Sequence, residues 1–91
     1  MSTPMTRVTN SDRADWAALG LRAFASRTYQ REEFDAGAEG MERVVSSFLA
    51  DLMHHCAMNG IDFDAMVALG RVRYEADVRT RGMRSHDAAS A

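Results

Sequence analysis

The stretch that most constrains this chain runs from Met41 to Ala57, MERVVSSFLADLMHHCA. Its apolar residues are Met41, Val44, Val45, Phe48, Leu49, Leu52, Met53, Cys56 and Ala57, and they return at steps of three and four. That is the period of an α-helix with one face turned away from water. The stretch reads as the central helix of a small all-α domain, hidden between two flanking helices.

The first flanking helix is expected over residues 11–28. Ser11 can accept a hydrogen bond from a free backbone N–H at its start, and Asp12 and Asp15 meet the positive end of its dipole. Trp16, Leu19, Gly20, Ala23 and Phe24 make its apolar stripe. Gly20 marks either a close helix–helix approach or a weak point of about 1 kcal/mol. Between residues 28 and 40 no period is sustained. Tyr29 and Phe34 read as apolar anchors, and Gly37 and Gly40 as punctuation. A loop is expected here, with one helical turn around Arg31–Phe34.

The central helix is expected over residues 39–59. Asn59-Gly60 closes it, because glycine reaches the left-handed conformation that ends a helix, and Ile61 can fold back on the last turn. Asp62 then caps a third helix over residues 62–81, with Phe63, Met66, Val67, Gly70, Tyr74 and Val78 on one face and Gly82 as its stop. Residues 1–10 and 83–91 carry no pattern and are expected to be disordered tails on a single domain spanning 11–82.

A domain this small has little core, and such chains often need a staple or a partner. The lone cysteine, Cys56, cannot form an intrachain disulfide. A homodimer sharing its core through the central helix is the remaining solution. Met1–Asn10 lacks the apolar core of a signal peptide, and Arg22 and Asp51 interrupt the most apolar helices. A cytoplasmic protein that makes no membrane contact is therefore expected.

Charge is unevenly placed. All 11 basic residues are arginine, yet the stretch from Glu32 to Asp64 carries eight acids and only Arg43. Such a segment is either a solvated face or a surface that docks on a basic partner. The candidate partner-binding residues are Glu32, Glu33, Asp35, Glu39 and Glu42. No catalytic residue or cofactor is read from the pattern. His54, His55 and Cys56 are adjacent in sequence, so on a helix they point about 100° apart and do not converge on a metal. Only Asp51 and His55 share a face. The Asn59–Asp62 corner has the form of a helix-turn-helix, but Asp62 and Asp64 at the start of its second helix repel phosphate, which makes nucleic acid an unlikely partner.

Two resemblances add to this reading. The run FLADLMHHCAMNGIDFDAMVALGRVRYEAD resembles the later half of MazG-like all-α nucleotide pyrophosphohydrolases. That family holds magnesium with two acidic pairs on facing helices. The corresponding ligands here would be Glu32, Glu33, Asp35 and Asp51, with Ala36 and Phe48 standing where two further ligands belong. The resemblance implies a helical topology and a tendency to dimerise; a divergent or inactive magnesium-dependent enzyme is the alternative it carries. NSDRADWAALGLRAF, FLADLMHHCAMNG and IDFDAMVALGRVRYEAD together resemble small helical proteins encoded on bacterial phages, plasmids and integrative elements. That setting implies a non-enzymatic module that binds a host protein, such as a nucleic-acid-binding CRISPR–Cas defence complex. A small DNA-binding regulator is the weaker alternative.

Overall fold

In the computed structural model, which describes residues 7–85, the chain is all-α, with no strand among the described residues. The order is α1 (Asn10–Arg27), α2 (Arg31–Phe34), α3 (Gly37–Met58) and α4 (Phe63–Ser85). Among the described residues no helix is long and apolar enough to cross a membrane.

α1 begins one residue earlier than the pattern suggests, because Thr9 rather than Ser11 caps it. The Asp12 backbone N–H donates to Thr9 Oγ1 at 3.0 Å, and the Thr9 N–H donates to Asp12 Oδ2 at 2.9 Å. This reciprocal box satisfies two backbone donors that the helix itself cannot. At the other end the Gln30 N–H reaches the Ala25 carbonyl at 2.7 Å. Closing the helix that way puts Tyr29 in the left-handed region at φ 63°, normally a glycine position. Tyr29 is 93% exposed, so it anchors nothing, contrary to the expectation from sequence.

α2 is the single turn expected at Arg31–Phe34. It wedges between the end of α1 and the start of α3. The Arg22 guanidinium lies 4.7 Å over the Phe34 ring. On the other side Gly40 is buried against the α2 backbone. A Cβ on Gly40 would run into the Glu33 carbonyl oxygen and stand 2.9 Å from Ala36 Cβ. Gly40 is thus the point of close approach. Gly20 is not, since nothing lies within 4 Å of its Cβ position.

α3 crosses α1 through an edge-to-face contact of Phe48 with Phe24, at 5.3 Å between ring centroids. Gln30 Nε2 donates to Ser47 Oγ at 3.3 Å beside it. Ala25 and Val44 are fully buried and Cys56 nearly so. The central stripe is therefore only partly hidden. Its edge at Gly40, Val44 and Phe48 faces α1 and α2, whereas Val45, Leu49 and Met53 remain exposed. The two flanking helices do not enclose the whole stripe, because α4 does not lie along it.

α3 ends as its sequence predicts. Gly60 takes φ 68°, and the Ile61 N–H reaches the Cys56 carbonyl at 2.9 Å. Asp62 caps α4, accepting from the Ala65 N–H at 3.0 Å. α4 then leaves α3 and meets the start of α1, where Arg13 Nε lies 3.5 Å from Asp77 Oδ2 and Asn10 Nδ2 donates to the Asp77 carbonyl at 3.4 Å. Three long helices thus form an open frame, joined at its corners. The helix runs through Gly82, which is not a stop. A glycine lowers helix stability but ends a helix only when it turns left-handed. Of the expected tails, residues 83–85 are helical, and residues 1–6 and 86–91 lie outside the described residues.

Candidate partner-binding surface

The acidic residues fall on one hairpin, made by α2 and the first turns of α3. Glu32 and Asp35 are exposed on α2 and at its end, and Glu39 and Glu42 are exposed on α3. Their separation from the core follows from the Gly40 contact. Gly40 and Val44 turn inward, so Glu39 and Glu42 turn away. Glu33 differs: it is half-buried, and its Oε2 lies 3.8 Å from Arg43 Nε. An exposed pair of this kind contributes little to stability, but it removes one negative charge from the surface.

The surface is less uniformly acidic than the linear sequence suggests. Arg22 and Arg31 line the same dent as Phe34 and Asp35. Folding thus interleaves arginines from α1 and α2 with the carboxylates of the middle segment. Beside Glu42 runs a shallow apolar groove formed by Ala38, Met41, Val45 and Leu49. Tyr29 stands where the chain enters α2, almost wholly exposed. The left-handed closure of α1, fixed by the Gln30–Ala25 backbone hydrogen bond, turns it outward.

The alternative magnesium set is not brought together. The Glu33 backbone packs on Gly40, and the step from Gly40 to Asp51 is about 16 Å of helix at about 1.5 Å per residue. Among the described residues no three His, Cys, Asp or Glu side chains form a group able to hold a metal ion. Glu32, Glu33, Asp35 and Asp51 therefore do not reproduce the two facing acidic pairs of the MazG-like enzymes. His54 and His55 are both exposed, and Cys56 is buried. The Asn59 side-chain amide donates to the His55 carbonyl at 2.8 Å and lies 3.5 Å from His55 Nδ1. His55 thus belongs to the end of α3, where Asn59 bonds to its carbonyl. Asp62 at the start of α4 is engaged as a cap, and Asp64 is exposed beside it. Both put negative charge at the end that a recognition helix would offer to DNA.

Comparison of the chain with family models, with curated proteins and with solved structures gives no match.

Proposed function

We propose that the protein is a non-enzymatic binding module of the cytoplasm, encoded on a mobile element. Its α2–α3 hairpin docks on a basic, nucleic-acid-binding surface of a host protein, of the kind a CRISPR–Cas defence complex presents. The observation that carries this reading is the exposure of Glu32, Asp35, Glu39 and Glu42 on one hairpin, with Tyr29 exposed at its edge. Carboxylates spread over a rigid turn imitate the charge of a nucleic-acid backbone, and a tyrosine supplies contact area at low entropic cost. The arginines among them give the surface a pattern, which supports selection of one partner over polycations in general.

The test is capture by the immobilised protein of a nucleic-acid-binding host protein, with and without competing RNA or DNA. Wild type should retain the partner, and nucleic acid should displace it. The triple variant Glu32→Arg, Glu39→Arg, Glu42→Arg should bind at least about 1,000-fold more weakly, because close charge pairs couple by about 1.5 kcal/mol or more each. Circular dichroism should show the variant folded, since all three side chains are exposed. Equal capture by wild type and variant would refute the reading.

A further inference from the structure

Where α1 and α4 meet, a hollow of about 410 Å³ lies between them. Asn10, Arg13 and Ala14 line it from α1, and Gly70, Tyr74 and Asp77 from α4. Both sets recur at steps of three and four, so each is one face of its helix. Helices in contact ordinarily interdigitate side chains at such a crossing. Here Ala14 and Gly70 stand at the crossing. Neither reaches across, and nothing lies within 4 Å of the Cβ position of Gly70. The polar contacts that join the helices lie to one side, at Asp77, which takes an ion pair from Arg13 and a hydrogen bond from Asn10. The hollow beside them stays open. Its volume is that of a small-molecule site, about 300–1,000 Å³, and such sites often sit between helices.

The wall of this hollow is mostly carbon, and the Tyr74 ring on it is 59% exposed, so it is not committed to packing within the chain. The charges stand around that apolar space. Arg73 lines it together with Arg13 and Asp77. The Asp77 carboxylate is matched by Arg13, whose Nε lies 3.5 Å from Oδ2. Among the described residues no carboxylate pairs with Arg73. Two guanidinium groups and one carboxylate leave the rim with one uncompensated positive charge. Arg13 gives only its Nε to Asp77, and a guanidinium carries five N–H donors in a fixed fork, so donors remain on both arginines.

We infer that the hollow between α1 and α4 binds a small aromatic monocarboxylate. The ring occupies the space left by Ala14 and Gly70, against Tyr74, since aromatic groups pack well on one another. The carboxylate accepts the forked hydrogen bonds of Arg73, with Arg13 beside it. One uncompensated positive charge suits one negative charge. A polyphosphate would set several charges against Asp77 and find too few cations. Bound across both helices, the ligand fills the gap in their contact and stabilises the frame. This inference is independent of what the acidic hairpin binds.

The test titrates phenylacetate into the full chain and follows the amide signals by NMR. One saturable site with a Kd of about 1 mM is expected for so small a ligand, with shifts centred on Arg13 and Ala14 of α1 and on Gly70 to Asp77 of α4. At about ten times Kd, Tm should rise by about 6–11 °C. Phenylacetamide keeps the ring without the charge, and acetate keeps the charge without the ring; each should bind about tenfold more weakly or worse. Gly70→Leu fills the hollow and should abolish binding without lowering the Tm of the free chain, because its Cβ position is open and leucine is the better helix former. Arg73→Gln changes an exposed side chain and should weaken binding about tenfold with the fold intact. Absence of saturable phenylacetate binding, shifts located away from both helices, equal affinity for phenylacetamide, or full affinity in either variant would overturn the proposal.

Discussion

Gly40→Ala and Gly20→Ala make the same chemical change in two helices and should move stability in opposite directions. At Gly20 the new methyl group meets nothing within 4 Å. The gain is then the intrinsic helix preference of alanine, about 1 kcal/mol. At Gly40 the same preference applies, but the methyl group collides with the Glu33 carbonyl oxygen and stands 2.9 Å from Ala36 Cβ. The first of these is backbone and cannot rotate away. Relief requires α2 to lift off α3, which disturbs the Arg22–Phe34 stack and the Glu33–Arg43 pair. Overpacking of this kind costs about 1–3 kcal/mol, and movement of backbone puts the site at the upper end. The net effect at Gly40 is a loss of about 1–2 kcal/mol. Thermal melts followed by circular dichroism at one fixed concentration should show Gly20→Ala raised and Gly40→Ala lowered, each by about 4–8 °C per kcal/mol. A rise of similar size in both would refute the close approach of α2 to α3.

Two other changes follow from the same geometry. Tyr29→Gly should stabilise the chain by about 1 kcal/mol in urea titrations, because it removes the left-handed strain at φ 63° and forfeits almost no packing; it should also weaken host-partner capture if Tyr29 is part of the docking surface. Val44→Asp should abolish the cooperative melt, since Val44 is fully buried and an unpaired carboxylate there costs several kcal/mol, whereas Leu52→Asp, at a half-buried site, should leave a weakened but measurable transition.

The elements are largely legible in the sequence. Local chemistry decides where a helix starts and ends. Asp62 as a cap, Gly60 as a left-handed stop with Ile61 folding back, and a lone turn at Arg31–Phe34 all follow from groups a few residues apart. The misreadings have equally specific causes. Gly82 reads as a stop, yet without a left-handed turn the helix runs on. Tyr29 reads as an anchor by its chemistry, while the closure of α1 points it outward. The acidic middle segment reads as one uniform patch, because the arginines that interleave with it come from elsewhere in the chain or from α2.

What the sequence determined by itself is the all-α class, the helix order and the identity of the apolar faces, since each depends on period and on contacts within one turn. What only the tertiary structure decided is which part of each face is covered. Periodicity marks a stripe as apolar but carries no information about the direction from which another helix approaches. Here α1 and α2 approach α3 along the Gly40–Val44–Phe48 edge, and α4 turns aside to meet α1 at Asp77. The remaining apolar surface is left open because, among the described residues, no other helix reaches it.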